Sequence, residues 1–497
     1  MKLINHLFAM LVVPSAMLSA QTLTTLHSFT FGEGSPIGGF ALSGNVLYGT
    51  ASSGANAVLF SINTNGTGFT ETANLYNQGV ATPLGNLALT NGTLFGTSLN
   101  DTIYSINTNG QDFSLIHAFS DNPYGTHPYG KLSFSGDKLY GTTFQDGLYG
   151  YGTIFSLSVD GSSFNVLHDF AESPDGAFPA SSVIISGDTI YGTTWQGGSD
   201  GLGTVFSMKS DGSDYTVLHD FTNSPDGILP VSGLTLASNV LYGTTSQGGD
   251  SGYGIVFSLN TDGSNYKVIY SFSLTNGDAG VPGKDGNLLL SGSILYGAVF
   301  DHGGYANGSG LIYSLYTDGG GFNVLHRFTL CDADNHGTNA DGAVLWANDL
   351  VMSGHTLFGT TTFGGNGDGT NGYGTVFALQ FPAPQPEINK IEVSTNNGVT
   401  ISCSGGIGFP YIIQAATNLA LSPITWVAIS TNTPDANGHW QFTDSLTNGG
   451  VFSSWRTNLL YSGGSINPLD PRGTNVLGTN VTFDHQIMRF YRAATMP

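Results

Sequence analysis

The residues best suited to chemistry lie in one polar segment, Cys331–Ala343, which reads CDADNHGTNADGA. Asp332 and Asp334 partly follow the D-x-[DN]-x-[DN]-G pattern of a calcium-binding loop. His336 stands where that pattern has Asp or Asn, and the twelfth position lacks the Glu that would complete the site. Asp368, in a second loop rich in Gly and Asn, is a further oxygen ligand for the same ion. The segment therefore indicates either a Ca²⁺ site or a solvated polar loop, and the sequence indicates no other cofactor.

Combinations of His and Asp suggest a second chemistry, because a carboxylate can orient a histidine that acts as a general base. Asp301 and His302 are adjacent in the chain, and His336 is a further candidate. His127 and Asp146 form another such combination. These residues would serve an enzyme. The sequence contains no nucleophile elbow, zinc-binding helix, P-loop or dinucleotide fingerprint.

A repeated tetrapeptide sets the architecture that must position these residues. Copies of LYGT start 47, 45, 51, 51, 54 and 62 residues apart. Periods of about 40 to 50 residues with strand signals are typical of β-propeller blades. The sequence therefore predicts an all-β fold with a seven-bladed β-propeller. The copies begin at Leu47, Leu94, Leu139, Ile190, Leu241, Leu295 and Leu357.

Each repeat predicts four strands, and turn length separates two faces. The turns from first to second strand and from third to fourth strand are short and rich in Asn, Asp and Gly, as hairpins require. The loops from second to third strand, and from one blade to the next, are long and lie on the opposite face. Variable loops on a rigid scaffold are where binding usually occurs. The predicted ligand-binding residues on this face are Trp195, Gln196, Gln247 and Tyr253.

The two ends of the array predict how the ring closes. A fourth-strand motif, Leu26–Phe29, precedes the first full repeat, and the array ends on a third strand, Val376–Leu379. We therefore expect the N-terminal strand to complete the last blade and to remove an exposed sheet edge.

Comparison among repeats separates packing from chemistry. The Tyr of LYGT is Phe in two copies, so its hydroxyl is dispensable, and the invariant Gly indicates a close backbone approach or an unusual φ. The Asp-Gly pairs fit hairpin turns rather than calcium ligation. Histidines on the fourth strands cannot converge on one metal, and we expect them to be half-buried and hydrogen-bonded. They are His27, His117, His168, His219 and His326, with Tyr76 and Tyr270 at the same place in other repeats.

Composition limits the partners. The chain has 497 residues, 12 Lys and Arg against 34 Asp and Glu, and a net charge of −22. Such an acidic surface disfavours nucleic acid and anionic membranes. Residues 1–20 combine Lys2 with a short apolar run and predict a signal peptide, and no second run is long enough for a membrane span. We therefore expect an exported protein that is extracellular, at the cell surface or periplasmic. Cys331 and Cys403 are the two cysteines, and their pairing is left open.

The repeat pattern LYGTT..GG..G.GTVFSL..DG....VLH.F resembles the Gloeobacter/Verrucomicrobia-type tandem repeat of secreted "choice-of-anchor" proteins. The resemblance covers roughly residues 23–380. It implies export but no activity and no catalytic residues.

A Pro-rich linker, residues 381–390, ends the propeller region of residues 21–380. Residues 391–497 contain short strand-like stretches that predict a small β-sandwich. This segment resembles C-terminal modules of secreted verrucomicrobial proteins through Gln414–Leu419, Trp426 and Arg489–Arg492. The sequence favours a non-enzymatic protein that binds an extracellular glycan or protein; the alternative is an enzyme that acts on extracellular polysaccharide.

Overall fold

The structure is a computed structural model. It describes residues 21–54, 56–119, 124–273, 282, 286–299, 310–329, 338–345, 349–366 and 372–381, and the backbone of the strands beyond residue 386. Residues Thr22–Gln380 form one compact unit.

Seven antiparallel sheets make up this unit, and each is one blade built from the four strands that its repeat predicts. Blade 1 has strands Ala41–Ser43, Val46–Ser52, Ala57–Asn63 and Thr70–Asn74; blade 2 has Pro83–Thr90, Thr93–Ser98, Thr102–Asn107 and Ser114–Ala118. Blade 3 has Ser133–Ser135, Lys138–Thr143, Thr153–Ser158 and Phe164–Asp169; blade 4 has Ile184–Ser186, Thr189–Thr194, Thr204–Lys209 and Thr216–Asp220. Blade 5 has Thr235–Ala237, Val240–Gly248, Ile255–Asn260 and Lys267–Ser271; blade 6 has Leu289–Ser291, Ile294–Val299, Leu311–Tyr316 and Asn323–Arg327.

Blade 7 combines three C-terminal strands of the array with the N-terminal strand. Val351–Ser353, Thr356–Thr361 and Thr375–Gln380 are followed in the sheet by Thr22–Ser28. The N-terminal strand runs antiparallel to Thr375–Gln380, with Thr22 opposite Gln380 and Ser28 opposite Thr375. The predicted ring closure is confirmed. Two short strands, Ser35–Pro36 and Gly227–Pro230, extend blades 1 and 5, and a 3-10 helix spans Tyr76–Gln78.

The glycine of LYGT gives room to an aromatic ring of the neighbouring strand. In blade 5, Gly243 lies opposite Phe257, and a Cβ added to Gly243 would lie 2.5 Å from the ring. The same third-strand position faces the glycine in every blade and is Phe or Tyr. None of these seven glycines has a positive φ. The glycine backbone is therefore closely approached, as expected, and the group that approaches it is the aromatic side chain of the third strand. The alternative expectation, an unusual φ, is wrong.

We expect Gly243→Ala to destabilise the propeller by about 2 kcal/mol, because the added methyl group forces Phe257 out of its packed position. Chemical denaturation of the purified protein measures the loss. In the double variant Gly243→Ala/Phe257→Leu the cost should be smaller than the sum of the two single costs. Additive costs would contradict the proposed contact.

The C-terminal residues contain further antiparallel strands. Glu387–Ser394, Gly398–Ser404 and His439–Asp444 form one sheet, and Val427–Asn432, Tyr411–Ala416 and Phe490–Thr495 form another. Leu459–Ser462 pairs with Ser465–Pro468. The β-sandwich stays a prediction.

Candidate ligand-binding face

The two sets of long loops meet on one face of the propeller and are joined by backbone hydrogen bonds. In blade 4, Ala177 N–H donates to the Gln196 carbonyl at 2.8 Å, and Trp195 N–H donates to the Phe178 carbonyl at 3.1 Å. Phe178 N–H also donates to the carbonyl of Tyr151, in blade 3, at 2.8 Å. These bonds connect the loop that enters blade 4 to its own blade and to blade 3, so the backbone of this loop is held against both blades.

Four half-buried aromatic side chains form a cluster on this face, which we call the aromatic platform: Tyr129, Phe144, Phe178 and Trp195. The ring centroid of Phe144 lies 5.3 Å from those of Tyr129 and Phe178, and 6.0 Å from that of Trp195. Contacts at these distances and in tilted orientations are favourable between aromatic rings. The platform therefore joins loops of blades 3 and 4 into one partly exposed aromatic surface.

The residues of the aromatic platform are not repeated in blade 5. The position of Phe144 and Trp195 is Ser246 in blade 5, and the position of Tyr129 is Val231 there. In blade 3, the loop from second to third strand begins with Phe144 and carries Leu148 and Tyr149 at its tip. These two residues are 60% and 57% exposed. At this tip blades 4 and 5 have Ser and Asp. The fold of the blade therefore does not require apolar side chains at this loop tip.

The four ligand-binding residues predicted from the sequence fall in two places. Trp195 belongs to the platform, and Gln196 follows it with its backbone paired to Ala177. Gln247 is exposed in blade 5, and Tyr253 is half-buried against the core between blades 5 and 6. Sequence reasoning did not single out Tyr129, Phe144 and Phe178, which cluster with Trp195; comparison of equivalent loop positions could have found them.

Polar side chains lie next to the platform in blade 3. Thr126 Oγ1 donates a hydrogen bond to Asp146 Oδ2 at 2.6 Å, and His127 Nδ1 lies 3.0 Å from the same Thr126 oxygen. His127 N–H donates to Asp101 Oδ1 at 2.6 Å. On the other side, Tyr151 Oη donates to Glu172 Oε2 at 2.8 Å, and this hydrogen bond raises the pKa of Tyr151. The structure thus brings together His127 and Asp146, which the sequence had suggested as a pair.

A second polar group lies at the axis of the ring. Asn287, from blade 6, donates its N–H to Asp349 Oδ1 of blade 7 at 2.8 Å and its side-chain Nδ2–H to Ser182 Oγ of blade 4 at 2.9 Å. Lys131 Nζ of blade 3 lies 3.9 Å from Asp349 Oδ2. Burial raises the pKa of Asp349, and Lys131 and the Asn287 N–H oppose that effect. The same position of the repeat, eight residues before the start of LYGT, supplies all four residues of this group: Lys131, Ser182, Asn287 and Asp349. In blades 1, 2 and 5 this position is Gly39, Asn86 and Gly233.

The fourth-strand histidines have structural roles. His168 Nε2 pairs with Asp175 at 3.0 Å and stacks on Tyr215 of the next blade at 3.9 Å. His219 with Asp226 and His326 with Asp341 repeat the pairing, so the prediction of half-buried, hydrogen-bonded histidines holds for these three. It is wrong for His117, whose Nε2 is buried and has no hydrogen-bond partner among the described residues. The assignment of Tyr76 to this position is wrong, because Ala73 occupies it, opposite Leu59, and Tyr76 lies in the 3-10 helix.

The Asp-Gly pairs are turn residues, as expected. Asp160, Asp211 and Asp262 each accept a hydrogen bond at 2.9 Å from the backbone N–H two residues later, on a Ser. Such a local bond stabilises the turn itself.

The remaining sequence candidates lie outside the described residues: Asp301, His302, Asp332, Asp334, His336 and Asp368. The catalytic and Ca²⁺ hypotheses attached to them stay predictions. Within the described part of the chain, no group of three or more His, Cys, Asp or Glu side chains could hold a metal ion.

Seven antiparallel sheets in a closed ring, with long loops on one face, define a seven-bladed β-propeller. The sequence profile of the Gloeobacter/Verrucomicrobia repeat matches residues 98–308, so the chain carries repeats of that family. No curated protein matches the chain. In the described residues no helix is long and apolar enough to cross a membrane.

Several solved structures are similar to this chain at low sequence identity. An oligogalacturonate lyase in complex with manganese has 12% identity and a TM-score of 0.47, covering 74% of this chain and 94% of that one. An oligogalacturonate lyase from Vibrio parahaemolyticus has 12% identity and a TM-score of 0.44, covering 75% and 96%. BamB from Moraxella catarrhalis has 13% identity and a TM-score of 0.38, covering 70% and 85%.

Proposed function

We propose that this protein is an exported, non-enzymatic binding protein whose aromatic platform holds a neutral glycan. The observation that carries the proposal is the cluster of Tyr129, Phe144, Phe178 and Trp195, which is partly exposed and absent from the equivalent loops of blade 5. Flat aromatic faces suit the C–H faces of sugar rings, since the electron-rich ring attracts the partly positive hydrogens.

Polar groups at both edges of the platform support a glycan rather than a purely apolar ligand. Glu172 and Tyr151 stand beside Phe178, whose ring centroid lies 5.6 Å from that of Tyr151. The Thr126, His127 and Asp146 group stands beside Tyr129, 5.8 Å from the His127 ring. A mostly apolar surface with a few fixed polar groups is the usual composition of a small-molecule site.

The charge of the chain supports a neutral ligand. With a net charge of −22 the protein repels polyanions at long range. The N-terminal signal-like segment favours an extracellular glycan, such as the polysaccharides that surround bacterial cells.

We expect Phe144→Ser and Trp195→Ser each to weaken glycan binding at least tenfold, because each removes a stacking surface. The wild type is screened against neutral oligosaccharides, and the best ligand is titrated by calorimetry. Blade 5 carries Ser246 at the same position, so the substitution suits the fold.

Tyr316→Ser is the matched control. Tyr316 is 50% exposed, lies on the face of the tight turns, and should leave the affinity unchanged. Absence of any glycan binding, or equal binding by all four proteins, would disprove the proposal.

A further inference from the structure

Three positions of blade 3 differ together from blades 4, 5 and 7, and they are hydrogen-bonded to one another. Thr126, His127 and Asp146 replace residues that are apolar or Gly in those three blades. The β-bridges between the loops show which residues of different blades are equivalent. Thr126 pairs with Gln145 in blade 3, and Ala177 pairs with Gln196 in blade 4. The equivalent residues are Ala177, Phe178 and Gly197 in blade 4, Ile228, Leu229 and Gly248 in blade 5, and Ala343, Val344 and Gly364 in blade 7.

The Asp146 backbone shows that this change opposes ordinary conformational preference. Its φ is +60°, whereas the equivalent positions are Gly197, Gly248 and Gly364, with φ of +80°, +84° and +73°. A non-glycine residue in the left-handed region is disfavoured, although Asp tolerates it better than most. A blade can therefore be built with glycine here, and the carboxylate is an addition to what the fold requires. Strained residues of this kind concentrate at functional sites.

The hydrogen bonds determine which nitrogen of His127 carries the proton. Thr126 has one hydroxyl proton, and its 2.6 Å contact directs that proton to the Asp146 carboxylate. Thr126 Oγ1 must then accept from His127 Nδ1 at 3.0 Å, so Nδ1 is protonated. In the neutral ring this leaves Nε2 with a free lone pair. No hydrogen-bond partner of Nε2 occurs in the described part of the chain.

The position of His127 connects this lone pair to the platform. Its ring is half-buried and lies beside Tyr129, and its carbonyl accepts the N–H of Phe144 at 3.0 Å. The backbone N–H is fixed by Asp101. The histidine is therefore held by three interactions at the edge of the aromatic surface.

We propose that the Asp146–Thr126–His127 chain is a subsite that presents His127 Nε2 as a hydrogen-bond acceptor for a ligand hydroxyl group. This inference rests on the proposed glycan binding and names the group that recognises the sugar's polar edge. A stacked sugar offers hydroxyl donors around its rim, and a neutral imidazole nitrogen accepts from them. Protonation of His127 would place a donor at Nε2 and abolish this contact.

The repeat itself supplies the variants for the test. Thr126→Ala and Asp146→Gly introduce the residues of blade 4, and His127→Leu introduces that of blade 5. We expect His127→Leu to weaken binding of the glycan identified in the screen at least tenfold. Thr126→Ala and Asp146→Gly should each weaken it about threefold or more. Thr126→Ala removes the acceptor of the Nδ1 proton, and Asp146→Gly removes the carboxylate that directs the Thr126 hydroxyl proton away from Nδ1.

The melting temperature of Asp146→Gly distinguishes a role of Asp146 in ligand binding from a role in holding the fold together. Asp146→Gly removes a disfavoured backbone conformation, so its melting temperature should equal or exceed that of the wild type while binding weakens. A structural role predicts a lower melting temperature. Wild-type affinity in all three variants, with binding still lost in Phe144→Ser, would overturn the subsite and leave the proposed function intact.

A measurement without ligand tests the inference even if no glycan binds. Nitrogen-15 NMR of the histidine ring reports which nitrogen is protonated at neutral pH, and His127→Leu assigns the signal. We expect protonated Nδ1 and unprotonated Nε2 in the wild type, and a mixture in Thr126→Ala. An Nε2–H form in the wild type would overturn the inference.

Discussion

Removal of residues Thr22–Phe29 should abolish cooperative unfolding of the propeller. This segment supplies the outer strand of blade 7 and pairs along the length of Thr375–Gln380. Phe29 is fully buried in the core that blades 7 and 1 share. A buried Phe alone contributes about 3 to 5 kcal/mol, and the loss of the strand also exposes an unpaired sheet edge. Since domains are stable by about 5 to 15 kcal/mol, the truncated chain should aggregate or show no thermal transition by calorimetry.

A permuted chain is the control for this deletion. Residues 22–29 are placed after Gln380, joined by a tight turn copied from Thr261–Asn265, and followed by residues 381–497. The third and fourth strands of blades 1 to 6 are joined in this way, so the permuted blade 7 should form. We expect recovery of a cooperative transition. A truncated protein that melts like the wild type would show that this strand does not close the ring.

Asp226→Ala should destabilise the propeller by about 3 kcal/mol, because it leaves several buried donors without an acceptor. Asp226 accepts hydrogen bonds from His219 at 3.2 Å and from Tyr266 Oη at 2.5 Å, and from the N–H of Thr222 at 2.9 Å. The carboxylate thereby joins the outer strand of blade 4 to blade 5. Denaturant unfolding at neutral pH measures the loss.

The pH dependence of this loss follows from the pKa of Asp226. Burial would raise the pKa, but hydrogen bonds from His219 and Tyr266 outweigh it and hold the pKa below its ordinary value of 3.8. A carboxyl group that is more acidic in the folded state stabilises that state above pH 3.8, and the contribution disappears as the pH falls through the folded pKa. The difference between wild type and Asp226→Ala should therefore shrink below about pH 4.

Asp262→Ala is the comparison for Asp226→Ala. Asp262 is in a tight turn and makes only local hydrogen bonds to Ser264. Its replacement should have a much smaller effect. Equal losses in the two variants would contradict the role of Asp226 at the blade junction.

The local pattern of the sequence was sufficient for the blades. Strand order, the two faces and the closing strand all follow from the LYGT spacing and from the motifs at Leu26–Phe29 and Val376–Leu379. Strand order and the two faces arise from strands that are neighbours in the chain, and the same pattern recurs in every blade. The misplacement of Tyr76 arose because residue type was matched without the strand register, which places Ala73 opposite Leu59.

Contacts between distant segments were beyond the sequence pattern. Lys131 and Asp349 are far apart in the chain, and they meet because the ring brings the starts of all first strands to one axis. His127 and Asp146 were recognised as a combination, but Thr126, which connects them, was not. A threonine in a loop gives no charge or motif signal in the sequence. Only the β-bridge between Thr126 and Gln145 shows that its hydroxyl group lies between His127 and Asp146.

Hydrogen–deuterium exchange with and without a saturating neutral oligosaccharide tests the binding face most directly. We predict slower exchange on ligand binding in residues 124–131, 144–152, 172–180 and 195–203, which carry the aromatic platform and its polar edges. The turns at residues 160–163 and 211–214, on the opposite face, should not change. Protection confined to those turns, or to the loops of blades 5 to 7, would contradict the account.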